Sequence, residues 1–191
     1  MDTYDGGALR LWPYLRGYMP RDTLGQLWAA VEAAGDWGRL FWWREEEGQT
    51  PFPTQGDLVD FMEFFTDPED PKILLIGEAM NSLVGACWFY LRQPDGSCEG
   101  GTWIAPEWRG VFSREMVNRS LAFIQEVHDI RSVNATTPWP DARNLCLKCG
   151  FQLLQSIKQA DGRVLYQLRK ELTHGQRRRQ GPKDSPIPSG S

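Results

Sequence analysis

The sequence predicts a single domain of mixed α and β structure. Its 191 residues, 41% hydrophobic and 12% aromatic, are sufficient for one sizeable core and too few for two full domains. Short apolar runs, typical of strands, alternate with segments in which apolar residues recur at helical spacing. Proline, glycine and asparagine stand between these segments, where turns are required. Together these observations favour a globular protein over a disordered one.

The first third of the chain predicts one strand and two helices. Asp22 is the expected N-cap of the first helix, and the segment TDPEDP ends the second because its prolines lack backbone donors. The aromatic, glycine- and proline-rich segment between the helices is predicted to be irregular. The expected elements are a strand at residues 9–14, a helix at residues 22–34, and a helix that Thr54 or Gly56 opens.

A three-stranded meander is predicted next. The apolar runs KILLIGEA and LVGACWFYL lie on either side of Met80, Asn81 and Ser82, which is typical of a hairpin with Asn81 in its turn. The segment PDGS predicts a second turn. The third strand is expected from Cys98 to Ala105.

The remaining chain alternates helices and strands before a polar tail. Ser113 is expected to cap a helix that extends to about His128, with Val127 among the apolar residues of the side that faces the core. From Thr173 onward the chain is basic and rich in proline and glycine, so disorder is expected there. The other expected elements are a strand RSVNATT, a short helix from Asp141 to Cys149, and two strands, 152–158 and 164–170, around the Asp161–Gly162 turn.

Charge and hydropathy exclude several classes of protein. A net charge of −4 and a pI of about 5.3 argue against a nucleic-acid binder. No apolar stretch reaches about 18 residues, and the first ten residues lack the apolar region of a signal peptide. We therefore expect a cytoplasmic protein with no nucleic-acid or membrane partner, whose four cysteines are reduced thiols.

Cys146 and Cys149 have the spacing of a metal or redox pair, but their surroundings favour a structural role. Both continue the apolar stripe of Ala142 and Leu145 on a helix that is expected to end before Gly150. A redox pair normally begins a helix, where the N-terminal field stabilises a thiolate, whereas this pair ends one. Zinc needs two further ligands, and the sequence has no second close pair of cysteines or histidines. No metal site is predicted.

Two segments carry a resemblance to a known family. The stretch DARNLCLKCGF is similar to N-x-x-A-x-x-L-Y-x-K-x-G-F of the GNAT superfamily of N-acetyltransferases, and TWIAPEWRGVFSREMVNRSLAFIQE resembles that family's fourth strand, coenzyme loop and following helix. The resemblance implies a GNAT-like α/β (α+β) fold over residues 1–172, with a mixed, mostly antiparallel, twisted sheet of six to seven strands and about four helices. Residues 173–191 form the tail. The motif positions kept in register are Ala142, Leu145, Lys148, Gly150 and Phe151.

The resemblance implies that acetyl-CoA, or another acyl-CoA, binds at the loop before the long helix. The unpaired amides and positive dipole end of a helix N-terminus bind a pyrophosphate, which coenzyme A carries. The family's loop reads R/Q-x-x-G-x-G/A, whereas this chain has the larger Phe112 and Arg114 where small residues are expected. The alternative interpretation of Arg109 and Arg114 is two solvated surface side chains. The predicted coenzyme-binding residues are Ile104, Ala105, Arg109, Gly110, Val111, Phe112, Ser113, Arg114 and Trp139.

Acetyl transfer to an amine requires a base, a donor to the developing oxyanion, and an acid for the leaving thiolate. The resemblance places the oxyanion donor at a backbone N–H around Ile104 to Ala105. Cys146 stands where the family often has its acidic tyrosine, and Glu99 and Glu78 are the candidate bases. The alternative interpretation is an apolar buried cysteine and two surface carboxylates.

The resemblance implies an acceptor cleft that is lined by the first two helices and the loop between the last two strands. The side chains expected there suit an amine with apolar groups or a peptide N-terminus, unless they pack into the core instead. They are Trp37, Phe41, Trp42, Trp43 and Phe52, with Asp161 opposite.

Two functions stay open at this point. The first is an acyl-CoA-dependent N-acyltransferase that acts on the amine of a small molecule or peptide by direct transfer. The second is a GNAT-like domain that has lost catalysis and serves as a binding or assembly module, with a homodimer among its forms. Cys146 in place of tyrosine and Phe112 in the loop favour the second, whereas Arg109 and Gly110 favour the first.

Overall fold

One eight-stranded sheet organises the part of the chain that this computed structural model describes, residues 4–5, 9–14, 23–42, 61, 64–69, 72–90 and 95–172. The strands are β1 (Tyr4–Asp5), β2 (Leu9–Pro13), β3 (Lys72–Ala79), β4 (Ser82–Tyr90), β5 (Ser97–Ile104), β6 (Ser132–Thr137), β7 (Gln152–Lys158) and β8 (Val164–Glu171). The helices are α1 (Thr23–Ala34), α2 (Trp37–Leu40), α3 (Ser113–His128) and α4 (Pro140–Lys148), with a 3-10 turn at Pro106–Trp108. Phe61 and residues 64–66 are also helical.

The strand order is β1-β2-β3-β4-β5-β6-β8-β7. Within this described sheet only β5 and β6 are parallel neighbours, and they share three residue pairs, the last of which is Glu99 with Asn134. Beyond that pair each strand continues along its outer neighbour alone, β5 along β4 and β6 along β8. The sheet therefore opens between β5 and β6.

Side chains of the central strands alternate between two apolar layers. Cys87 and Phe89 of β4 belong to the layer that includes α3 and the end of α4, and Ala86 and Trp88 belong to the layer that includes α1 and α2. The second layer is strongly aromatic. Among the described residues, Phe61 has four aromatic neighbours with ring centroids 5.1–6.0 Å away, namely Trp28, Trp37, Phe41 and Phe65. Trp37 and Phe41 are therefore core residues, as the alternative interpretation expects.

The predicted fold class is confirmed, because the sheet is mixed, mostly antiparallel and flanked by helices. The additional strand is the two-residue β1. Met80 and Asn81 have φ of 53° and 60°, so the hairpin between β3 and β4 turns where the sequence predicts. α2 lies partly within the segment expected to be irregular. Val127, expected on the buried side of α3, is 56% exposed because the last turn of the helix extends beyond the core.

Some sequence predictions lie outside the described residues. They are the N-cap at Asp22, the helix start at Thr54 or Gly56, the cleft positions Trp43 and Phe52, and the disordered tail at 173–191. Among the described helices, none combines the length and apolarity needed to cross a bilayer.

Gly85→Ala should destabilise the domain more than Gly77→Ala, although the two glycines are paired on β4 and β3. A Cβ at Gly85 would lie 2.2 Å from the backbone oxygen of Trp103, which is fixed in β5. A Cβ at Gly77 would meet the flexible end of Met116 at 2.9 Å. We expect Gly85→Ala to cost about 1–3 kcal/mol or more in urea unfolding and Gly77→Ala clearly less. Equal losses would contradict the fixed position of β5.

Candidate active site

A cleft of about 600 Å³ opens where β5 and β6 separate. β5 and the start of α3 form one wall, β6 and α4 form the opposite wall, and α2 closes one end. The inner part is mostly apolar and the rim carries charged side chains. The inner apolar lining includes Val117, Leu121, Val133 and Leu145.

The edge of β5 presents backbone groups to the cleft. The N–H of Ala105 donates to the carbonyl oxygen of Val84 on β4, at 2.9 Å. Because the direction of N–H and C=O groups alternates along a strand, those of Ile104 point away from β4 and toward the cleft. The Ile104 carbonyl accepts from Arg109 Nε at 3.0 Å on that side. Of the two predicted oxyanion donors, Ile104 faces the cleft and Ala105 is already bound.

The loop before α3 turns its small residues toward the cleft and its large one into the core. Gly110 has φ of +86°, and its N–H donates to Ser113 Oγ at 3.2 Å. Both residues line the cleft together with Arg114. Phe112 is 7% exposed, and its ring lies 5.4 Å from that of Trp108. The aromatic residue that makes this loop differ from the family's pattern is therefore outside the cleft.

A buried carboxylate ties the first two helices to this loop. Asp36, at the junction of α1 and α2, is 7% exposed. Its Oδ2 accepts from the indole Nε1 of Trp103 at 2.9 Å and from Arg109 Nη2. Arg109 is thus neither a solvated side chain nor a free cation, because its guanidinium already binds Asp36 and the backbone of β5.

The cysteines are protonated thiols in apolar surroundings. Burial is the main cause, and the nearby Cys149 a smaller one, that raises the pKa of Cys146 to about 12. Burial also raises the pKa of Cys87 to about 11. The helix that carries Cys146 ends as predicted: Gly150 has φ of +86°, and the N–H of Phe151 donates to the Cys146 carbonyl at 3.0 Å. Across the described ranges, no cluster of three or more His, Cys, Asp or Glu side chains is arranged to hold a metal ion.

The predicted bases lie away from the cleft lining. Glu99 is exposed on β5, directly before the strands separate. Glu78 is on β3, two strands away. Asp161, expected opposite the aromatic wall, is exposed in the turn between β7 and β8 and accepts from Arg163. Among the described lining residues the sole carboxylate is Asp141.

One end of the cleft is crossed by a cation from α2. Arg39 Nη2 lies 2.5 Å from Asp141 Oδ2, at the start of α4. The guanidinium carbon lies 5.1 Å from the ring centroid of Trp139. Trp42 lines the same cleft, as predicted for the acceptor side.

The structure brings most of the predicted coenzyme-binding residues together. Val111 is 64% exposed on the outside of the loop, and Ala105 and Phe112 are buried in the core, so these three do not line the cleft. The predicted residues that do line it are Ile104, Arg109, Gly110, Ser113, Arg114 and Trp139, together with Cys146.

Solved acetyltransferases have the same arrangement of strands and helices. The spermidine N-acetyltransferase from Vibrio cholerae in complex with CoA and spermine aligns with a TM-score of 0.64 at 17% identity, covering 86% of this chain and 95% of that chain. The microcin C7 self-immunity acetyltransferase MccE in complex with acetyl-CoA and AMP aligns with a TM-score of 0.64 at 13% identity, covering 87% and 94%. No protein-family model and no curated protein matches the sequence. The chain has the GNAT fold.

Sequence reasoning missed two functional candidates of this GNAT fold, Asp36 and Arg39. Both belong to the short α2 region, which the sequence presents as an irregular aromatic stretch. The acidic Asp36 directly before Trp37, the first residue of α2, was a usable signal, because a helix start favours aspartate. Its partners, by contrast, are more than sixty residues away and could not be read from local spacing.

Asp36→Ala should destabilise the protein because it leaves the Trp103 indole N–H and the Arg109 guanidinium without their common acceptor. A buried donor that loses its partner costs about 1–3 kcal/mol. Asp141→Ala is the matched control, because it removes another aspartate–arginine pair whose carboxylate is 60% exposed. Exposed pairs contribute about 0–1 kcal/mol. Urea unfolding that shows equal losses for the two variants would contradict the structural role of Asp36.

Proposed function

We propose that the protein is an acyl-CoA-dependent N-acyltransferase that transfers an acetyl group directly from acetyl-CoA to the amine of a small molecule or peptide. The observation that carries this proposal is the separation of β5 from β6, which creates a cleft leading to the N-terminus of α3. Solved proteins with this fold hold CoA or acetyl-CoA and are acetyltransferases. These neighbours do not favour the alternative of an inactive assembly module.

The cleft offers suitable groups for each part of the donor. The start of α3, which begins at Ser113, supplies amides and the positive dipole end for the pyrophosphate, and Gly110 lines the cleft beside it. Arg114 and Lys148 line the cleft and add two cations. The burial of Phe112 supports this assignment, because its ring does not compete with the phosphates for space.

The reaction requires few groups from the protein. A free amine attacks the thioester carbon, the carbonyl oxygen becomes an oxyanion, and the carbon–sulfur bond then breaks to give the amide and the coenzyme thiolate. The N–H of Ile104 is the proposed oxyanion donor, since it faces the cleft. The amine's proton is lost to solvent, and the thiolate regains one.

Cys146 is a weak candidate for the acid that protonates the thiolate. Its pKa of about 12 lies roughly 3.5 pKa units above that of an ordinary thiol. Cys146 therefore gives up its proton less readily than an ordinary thiol. We propose that Cys146 contacts the donor through its apolar surface and that the solvent supplies the proton.

Acetyl-CoA should raise the melting temperature by binding the native state. Arg114→Ala should weaken the affinity by roughly ten- to a hundredfold, because a charge-assisted contact to phosphate is worth about 1.5–3 kcal/mol. Arg169→Ala is the control, because this arginine is on β8 and pairs with Glu171 outside the cleft lining. Calorimetric titration measures both affinities. The absence of a thermal shift for the native protein at millimolar acetyl-CoA would contradict the proposal.

Cys146→Ala should lower kcat less than about tenfold if solvent protonates the thiolate. The thiol is protonated well above neutral pH, since its pKa is about 12, so ionisation of Cys146 produces no inflection in the kcat profile between about pH 6 and pH 10. Steady-state kinetics across that range tests both statements. A loss of a hundredfold or more, accompanied by loss of a basic inflection, would instead identify Cys146 as the acid.

A further inference from the structure

The acceptor end of the cleft carries the side chain of Arg39. Backbone hydrogen bonds fix the turn of α2 from which this side chain extends. The N–H groups of Arg39 and Leu40 donate to the Asp36 carbonyl at 2.9 and 3.0 Å, which holds α2 in place. From there the Arg39 side chain reaches across to Trp139 and Asp141 on the opposite wall. A ligand that enters between these walls must therefore meet the Arg39 guanidinium.

The ion pair between Arg39 and Asp141 is easily opened. The two side chains are 30% and 60% exposed, and exposed pairs contribute little to stability. Burial raises the pKa of Asp141, but the hydrogen bond and charge of Arg39 outweigh it and lower that pKa, so the carboxylate is ionised at neutral pH. A guanidinium has five N–H donors, and the bond to Asp141 uses one of Nη2. Arg39 can therefore bind a second anion while Asp141 turns to solvent.

A second donor belongs to the ring beneath Arg39. The indole N–H of Trp139 is buried and has no hydrogen-bond partner among the described residues, although the residue lines the cleft. An unsatisfied buried donor is unfavourable, and an oxygen atom supplied by a ligand would satisfy it. The guanidinium and the indole N–H together suit a carboxylate or phosphate group.

The charge of the cleft agrees with that chemistry. Among its described lining residues, four are cationic and one is acidic, the acidic one being Asp141 in its pair with Arg39. A polycation would find no free carboxylate among these residues. Arg109 is bound to Asp36, and Arg114 and Lys148 are assigned to the coenzyme phosphates, so Arg39 is the described lining cation that is left for an anionic acceptor. The cationic residues are Arg39, Arg109, Arg114 and Lys148.

We infer that the acceptor is an amine that also carries an anionic group, a carboxylate or a phosphate, and that Arg39 with Trp139 selects it. This inference rests on the proposed function, since it names the class of acceptor for that reaction. The anion binds the free N–H groups of Arg39 and the indole N–H of Trp139, and the amine extends inward toward the thioester. Arg39 and Trp139 are thus specificity-determining residues.

The test uses two pairs of amines that differ in the anionic group alone, phenylalanine against phenethylamine and aminoethyl phosphate against ethanolamine, with spermidine as the polycation. Release of the coenzyme thiol from acetyl-CoA gives kcat/KM for each amine. We expect one anionic member to exceed its neutral match by at least about tenfold. Which pair shows the preference separates a carboxylate acceptor from a phosphate acceptor. Equal values within both pairs, or a preference for spermidine, would overturn the inference and leave the proposed function intact.

Two variants separate recognition from a structural role of the ion pair. Arg39→Gln should abolish the preference for the anionic amine and leave the KM for acetyl-CoA unchanged. Asp141→Asn, which releases Arg39, should raise kcat/KM for the anionic amine. If the pair only holds the walls together, both variants lower all rates alike, which would overturn the inference. Arg39→Lys provides a variant that keeps the charge and should retain part of the preference.

A direct binding measurement covers the case in which no amine is acetylated, which would contradict the proposed function itself. Tryptophan fluorescence, in the presence of CoA, follows titration with phenylalanine and with aminoethyl phosphate. Binding that Arg39→Gln abolishes, with an unchanged melting temperature, supports the anion site. No binding of either compound to the native protein would overturn the inference.

Discussion

The limited pairing of β5 with β6 is the constraint on which the candidate site depends. Three residue pairs hold the strands together, and beyond Glu99 and Asn134 each has only its outer neighbour. The strand edges that face each other then expose backbone donors and acceptors, which need water or a ligand as partners. An extended ligand with amide groups, such as the arm of coenzyme A, suits such edges in the way that an added strand does. Much of the binding capacity therefore belongs to the backbone.

Asp36 connects the helices on the other side of the sheet to the end of β5 and to the loop before α3. The aromatic layer that holds α1 and α2 would otherwise contact the loop before α3 through apolar packing alone, which does not fix direction. One carboxylate accepting from Trp103 and Arg109 fixes both the end of β5 and the start of the loop. The same residue anchors α2 through its carbonyl oxygen. The loop before α3 and the short helix α2, at the two ends of the cleft, are thus positioned by one buried residue.

The sequence predicts the secondary structure and fold of this molecule better than the residues of its candidate site. Strands and the helices α1, α3 and α4 are evident because their periodicity and turn residues, such as Asn81 and Gly150, are local signals. The loop pattern led to the expectation that Phe112 would face the phosphates, but its ring packs on Trp108 because the loop turns at Gly110. The ion pairs of Asp36 and Arg39 join residues that are far apart in sequence, so only the fold brings them together.

The described side chains of the cleft include neither a good proton donor nor a free carboxylate base, and this limits the chemistry that the cleft can support. A buried thiol with a pKa of about 12 is a poor proton donor, and the described lining contains no free carboxylate that could act as a base. An enzyme with this lining must rely on positioning and on stabilising the oxyanion, both of which require the two substrates to be held rigidly. In the proposed reaction the start of α3 holds the coenzyme phosphates, but the acceptor needs its own anchor. Arg39, fixed through the backbone of Asp36 and stacked on Trp139, is the described cation that is placed to provide it.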